Sequence, residues 1–313
     1  MILCVAFLCH TFVGAQTVTF GLISDVHEGL QKDAVERVNT FVKDATAKKV
    51  DFIIELGDLC HGVSGAKKIL PAFNQYKGEK HHVLGNHDME TSTKKEMVSI
   101  YDMPSNYYYF DKEGVRFIIL DCNFIRKENK LFDYDHGNFF INSKDRGFIP
   151  PEEITWTKKT ICSTDKPCII FSHQAFDEIG ASVPNRQDFR QMLHEVNIPK
   201  KHVIAMVSGH HHIDAHSVID NIDYVEMNSS SYQWIENGHE YSNGKMAVYK
   251  QALYAFFTID VANKTVTIEG RRTVYNPPAP KSQNYTVKER KKNNEWKYLK
   301  PVITSRVIHL CNN

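Results

Sequence analysis

The chain has 313 residues, 42% of them hydrophobic, enough for one large domain or a domain with an appendage. Its 38 basic and 37 acidic side chains leave a net charge of +1. With no basic excess or stripe, no nucleic-acid partner is expected; the short basic run Lys288–Lys292 is broken by Glu289 and reads as a solvated face.

Residues 2–15 form an apolar stretch too short to span a bilayer comfortably, so no transmembrane segment is expected. The stretch ends in Val13-Gly14-Ala15 before Gln16, a small-residue cleavage pattern, and reads as a secretory signal peptide without the usual basic start. Export, to a periplasm or the exterior, is the expectation. The other reading is a buried strand extending the one at Val18, in a cytoplasmic protein. Removing residues 1–15 leaves Cys60, Cys122, Cys162, Cys168 and Cys311, an odd number that excludes a complete intramolecular disulfide set. Cys162 and Cys168 flank a polar turn and can pair in an oxidising compartment. Asn228, Asn263 and Asn284 open glycosylation sequons, relevant only for a secreted eukaryotic chain.

In chain order, Val18–Ile23 predicts a strand. Residues 30–49 predict an amphipathic helix, with Ala34, Val35, Val38, Phe41, Val42 and Ala45 at helical spacing. Strands at Phe52–Ile54 and His82–Leu84 and helices at 65–76 and 92–101 continue a β-α-β-α-β order, hence a parallel sheet flanked by helices. Tyr107–Phe110 and Val115–Leu120 predict a hairpin. Residues 122–150 show no regular pattern. They form either a substrate wall or a surface insertion, rich in aromatics such as Phe132, Tyr134, Phe139 and Phe140. Pro-Pro-Glu-Glu opens a helix over 151–162. A strand at Cys168–Phe171, a helix at Arg186–Val196 and a strand at Val203–Val207 follow. Strands are then expected at His216–Ile219, Asp223–Met227, Tyr254–Ile259 and Thr265–Glu269. Residues 229–253, with Tyr232, Trp234, Tyr241 and Tyr249, are a second candidate wall. The organisation is thus a signal at 1–15, one domain at 16–275, and an extension at 276–313 made of a Pro-rich linker and a returning strand within Val302–Leu310.

Metal-ligand residue types stand after five of these strands. They are Asp25-Val26-His27, Gly57-Asp58-Leu59-Cys60-His61, Gly85-Asn86-His87-Asp88, Ser172-His173 and Gly209-His210-His211-His212. The C-terminal edge of such sheets is where ligands bind. Asp, Asn and neutral His supply oxygen and imidazole nitrogen to Mn²⁺, Fe or Zn²⁺, and the same donors serve all three. Two ions clamped by a shared carboxylate suit phosphoryl transfer, with a nearby His protonating the leaving oxygen. His10, His81, His82, His136, His194, His202, His216 and His239 read as structural. Asp121-Cys122-Asn123 also follows a strand and could reach the same edge, though a role outside the site is the expectation. Cys60 reads as a small buried hydrophobe.

The order and spacing of the five motifs resemble the calcineurin-like metallophosphoesterase superfamily over residues 18 to 228. The resemblance implies an αββα sandwich, two mixed β-sheets packed face to face and flanked by helices. It implies a dinuclear metal phosphohydrolase acting on a phosphomonoester, phosphodiester or nucleotide-type pyrophosphate bond of a small phosphorylated substrate, by metal-hydroxide attack. Asp25, His27 and His212 would hold the first divalent ion, Asp58 would bridge, and Asn86, His173 and His210 would complete the second. His87 would meet the phosphate as general acid beside Asn86, with Asp88 orienting its ring. His211 fills a variable slot and is expected to face away from the ions. Purple acid phosphatases, a branch of the superfamily, have Tyr at the position of His61 and Gly at that of His27, so a colourless site is implied. His61 is left to touch metal or phosphate, or to cap the next helix. The competing reading, a non-catalytic scaffold of the same fold, does not need this complete ligand set.

Overall fold

The computed structural model describes residues 17–198, 203–234, 246–277, 279–280 and 300–309. The expected signal at 1–15, the basic run at 288–292, and His10, His202, His239, Tyr241, Asn284 and Cys311 lie outside the described residues. No helix among the described residues is long and apolar enough to cross a membrane.

The first half alternates strand and helix: β1 (Thr17–Ile23), α1 (Ala34–Lys48), β2 (Phe52–Glu55), α2 (Val63–Phe73), β3 (Glu79–His82) and α3 (Lys94–Ile100). The α1 stripe of Ala34, Val38, Phe41, Val42 and Ala45 is buried, as its spacing requires, but Val35 is exposed on the other face. A capping box between Thr93 and Glu96 starts α3. Then come β4 (Tyr108–Lys112), β5 (Val115–Ile119), β6 (Phe124–Lys127), β7 (Lys130–Asp133), α4 (Pro151–Cys162), β8 (Cys168–Ser172), α5 (Arg186–Asn197) and β9 (Val203–Ser208). The chain closes with β10 (Ala215–Ile219), β11 (Ile222–Glu226), β12 (Tyr232–Trp234), β13 (Met246–Val248), β14 (Ala255–Asp260), β15 (Thr265–Glu269) and β16 (Arg306–His309).

Two six-stranded mixed sheets result, in the orders β16-β15-β14-β1-β2-β3 and β10-β11-β9-β8-β5-β4. They meet at an aromatic seam. Phe20 on β1 stacks on Phe52 and Phe257 of its own sheet, at 4.8 and 4.9 Å between centroids. It meets Phe117 and Phe171 of the other sheet edge-on, at 5.7 and 5.8 Å. The expected layered α/β fold is therefore present.

Three local expectations need correction. The third strand is Glu79–His82, not His82–Leu84, because it pairs with β2 from Phe52↔Glu79 to Glu55↔His82 and stops where β2 stops. Val83 and Leu84 are buried loop residues leading to the site. Residues 122–150 are not wholly irregular: β6 and β7 form a hairpin whose turn, Glu128 and Asn129, has positive φ at both residues. Asn228 is buried, its amide donating to the carbonyls of Lys300 and Val302, so it is no glycan acceptor in the folded chain. Cys162 and Cys168 are free thiols.

Candidate metal centre

β1, β2 and β3 of one sheet and β8 and β9 of the other all release their chains toward one rim. Asp25 and His27 follow β1, Asp58 follows β2, Asn86 and His87 follow β3, His173 follows β8, and His210 and His212 follow β9. The backbone there is strained. Asp25, His27, Asp58, His210 and His212 have φ of 51°, 58°, 54°, 71° and 55°, the left-handed region that non-glycine residues avoid. Glycines allow the close approach. A Cβ on Gly85 would lie 2.1 Å from the Asp58 nitrogen, and one on Gly209 would lie 2.6 Å from Asp25 Oδ2.

The side chains converge in two overlapping groups. In the first, His27 Nε2 is 3.1 Å from His212 Nε2, which is 3.2 Å from Asp25 Oδ1. In the second, His173 Nε2 is 3.1 Å from Asp58 Oδ2 and 3.3 Å from His210 Nδ1. Asp58 Oδ2 also lies 3.9 Å from His27 Nε2, between the groups. Ligands about 2.1 Å from a shared ion stand roughly 3.0–3.4 Å apart, so these spacings fit metal coordination. Asp25 Oδ1 and Asn86 Oδ1 are buried without a hydrogen-bond partner. Such orphaned oxygens call for a cation.

Outer contacts set the imidazole tautomers. His212 Nδ1 donates to the Tyr232 carbonyl at 2.9 Å and His173 Nδ1 to the Leu56 carbonyl at 2.8 Å, leaving both Nε2 lone pairs facing the cluster. A longer relay serves His27. The Glu90 carboxylate accepts from His61 Nδ1 at 3.1 Å, and His61 Nε2 faces His27 Nδ1 at 3.3 Å. His61 Nε2 is thereby the acceptor, His27 Nδ1 the donor, and His27 Nε2 is free to bind metal. Burial holds His27 and His210 well below the ordinary histidine pKa, the neutral form a ligand needs. Burial also opposes charge on His173, yet Asp58 and Asp25 push it up to about 10. Those buried anions require positive charge, which a proton or a metal ion supplies.

Asp88 does not orient His87. It is fully buried and accepts from the backbone nitrogens of Gly85 (2.8 Å) and Asp58 (3.1 Å) and from the Tyr101 hydroxyl (2.7 Å). It therefore braces the Asp58 loop against the Gly85 loop. The carboxylate on His87 Nδ1 is Glu90, at 2.5 Å. Sequence reasoning missed Glu90, although an acid three residues after His87 on a tight helical turn is a legible signal. Cys60 is buried, and burial pushes its thiol pKa well up, so it is an inert neighbour. Asp121 and Asn123 stay outside the ligand groups: Asp121 pairs with Lys94 at 2.6 Å, and Asn123 bridges Gln174 and the Leu84 carbonyl.

A cleft of about 730 Å³ opens over this rim, floored by Asn86, His87 and His210. Tyr134, Phe139 and Phe140 line it, so residues 122–150 form a cleft wall rather than a peripheral insertion. Trp234 lines it from the second candidate wall. His211 lies outside both ligand groups, as expected, but it lines the cleft with Nδ1 on buried Glu226 at 3.0 Å.

The calcineurin-like phosphoesterase family model matches residues 18–214. The chain belongs to that family. Several solved structures share the fold of this phosphoesterase. A dimetal phosphatase from Danio rerio superposes with a TM-score of 0.61 at 16% identity, covering 81% of this chain and 96% of that one. GAP50, described as the anchor in the inner membrane complex of Plasmodium, gives 0.55 at 15% identity, covering 84% and 86%. Purple acid phosphatase PPD1 from yellow lupin gives 0.55 at 13% identity, covering 82% and 52%. No curated protein sequence matches the chain. Family membership and the paired donor groups together imply two metal ions in this phosphoesterase.

Proposed function

We propose that this phosphoesterase hydrolyses a small phosphorylated substrate at a two-metal centre, with His87 as the acid that protonates the leaving oxygen. The observation carrying the reading is the pair of donor groups, Asp25–His27–His212 and Asp58–His173–His210, with buried Asp25 Oδ1 and Asn86 Oδ1 left without hydrogen-bond partners. Asp25, His27 and His212 would hold one ion, Asn86, His173 and His210 the other, and Asp58 would bridge. Two such ions supply Lewis acidity to the phosphoryl oxygens and a strong nucleophile at neutral pH. Asn86 and His87 meet the phosphoryl group at the cleft floor. His87 keeps its acidic proton on Nε2 because Glu90 occupies Nδ1. Phosphomonoesters, diesters and nucleotide-type pyrophosphates are all substrates of suitable chemistry, and Mn, Fe or Zn suits the donors.

The fold alone also accommodates a scaffold, since GAP50 is described as an anchor. A scaffold has no use for both donor groups and a paired acid beside them. Export is proposed on the N-terminal apolar stretch alone and predicts a mature chain beginning near Gln16.

The test strips the purified protein of metal and resupplies Mn²⁺. Hydrolysis of p-nitrophenyl phosphate, bis-p-nitrophenyl phosphate and a nucleoside-diphosphate sugar is then measured, with Asp58→Asn as control. Metal-dependent turnover lost in the variant supports the reading. A protein that binds two ions and turns over none of the three overturns it in favour of the scaffold.

A further inference from the structure

We infer that the substrate carries a second anionic group beside the phosphoryl group to be cleaved, on a flat apolar body, so that a pyrophosphate-linked ester fits the cleft better than a simple ester does. This rests on the phosphoesterase reading above. The cleft's 730 Å³ lies in the range that encloses a drug-sized ligand, well beyond one phosphoryl group. Its wall bears two permanent cations, Lys144 and Arg146, and neither has a carboxylate partner among the described residues. The acid between them, Asp145, is turned to Arg126 at 3.6 Å. By contrast, Arg186 and Arg190 beyond the cleft share Glu178.

Arg146 is half-buried and spends one N–H on the Phe139 carbonyl at 2.8 Å, which steadies the guanidinium. Its other donors form a planar fork suited to phosphate oxygens. The metal floor already accounts for one phosphoryl group, so these wall cations call for another. Large rings line the cleft on both walls, Phe140 beside these cations and Trp234 on the second. Phe140 is 62% exposed and Trp234 44%, surfaces that a flat ring of the substrate would cover. In the reaction, water adds across the P–O–P bond. One phosphorus takes the hydroxyl, the other leaves as a phosphomonoester, and His87 protonates the departing oxygen.

The experiment compares kcat/KM on ADP-glucose and on bis-p-nitrophenyl phosphate, which has aromatic rings and a single anionic group. The Mn²⁺-loaded protein is assayed beside Lys144→Met, Arg146→Met and Arg146→Lys. The wild type should favour ADP-glucose by about tenfold or more. Lys144→Met and Arg146→Met should each cost about tenfold on ADP-glucose, mainly through KM, with a several-fold smaller loss on the diester. Arg146→Lys should recover part of that loss, because the charge remains. Rising salt should weaken ADP-glucose turnover in the wild type more than in the variants. Turnover of the diester with no preference for ADP-glucose, or equal losses on both substrates, overturns the inference and leaves the phosphoesterase reading standing. Turnover of neither, with metal bound, overturns both.

Discussion

His87 Nδ1 and Glu90 Oε2 lie 2.5 Å apart, and the same Glu90 oxygen lies 3.1 Å from His61 Nδ1. One carboxylate thus joins the proposed acid to the relay that orients His27. Burial works against charge on His87, but Asp58 and the Glu90 hydrogen bond outweigh it and hold its pKa above the ordinary histidine value. Metal ions on Asp58 would offset that carboxylate, leaving Glu90 as the supporting charge.

His87→Ala should lower kcat by about 10²–10⁴-fold and Glu90→Gln by about tenfold. The loss in both should grow as the leaving group worsens, because only a poor leaving oxygen needs the proton. Rates on p-nitrophenyl and phenyl phosphate check this. Equal losses on the two esters would remove His87 from the acid role. Asp88→Asn should lower stability and metal content without that dependence on leaving group.

Chelation should abolish turnover and lower the melting temperature. Ligand that binds only the folded state stabilises it by about 2.7 kcal/mol at a hundredfold excess over Kd, which amounts to several degrees. Calorimetry with and without Mn²⁺ measures the shift. Asp58→Asn should show little of it, since the carboxylate set between the donor groups loses its charge and one oxygen.

Gly85→Ala should be destabilising by at least ~2 kcal/mol and should empty the metal centre. The added methyl would stand 2.1 Å from the Asp58 nitrogen and 2.3 Å from its Oδ1, so the loop carrying the bridging carboxylate must move. Urea unfolding and metal analysis read the two effects separately. Normal metal content would show that the loop yields without cost.

Lys94 ties the cleft wall to the core. Its buried ammonium lies 2.6 Å from Asp121 and 2.7 Å from Asp133 at the end of β7, over the Phe124 ring. The contact is an ion pair set between two carboxylates rather than a well-aligned hydrogen bond. Lys94→Met leaves Asp121 buried and uncompensated, a loss of about 3–5 kcal/mol. Adding Asp121→Asn should restore part of it. Urea denaturation of the single and double variants decides.

His81 should make the fold acid-sensitive. It stacks on Phe110 at 3.5 Å between centroids, and burial holds its pKa at about 4, below the ordinary 6.5. Between those values the unfolded chain binds a proton that the folded one does not. Stability is therefore kept above pH 6.5 and lost as pH falls toward 4, by up to ~1.4 kcal/mol per unit. His81→Gln should flatten that limb of the curve of unfolding free energy against pH. An unchanged slope would assign the acid sensitivity elsewhere.

The strands, helices and ligand residue types were legible in the sequence because their signals are local. Apolar runs such as Cys168–Phe171 and the α1 stripe declare their own period, and Asp, Asn and His after strand ends marked by glycine or serine declare their chemistry. The β6–β7 hairpin was hidden because its turn is Glu128-Asn129 rather than a glycine pair, and β3 was misplaced because its limits come from pairing with β2. Only the tertiary structure decided that Glu90 rather than Asp88 holds His87, that His61 reaches His27 across 34 positions, and that residues 122–150 wall the cleft. Such choices depend on which loops the two packed sheets bring within hydrogen-bonding distance. Periodicity along a chain carries no information about distances between its separate parts.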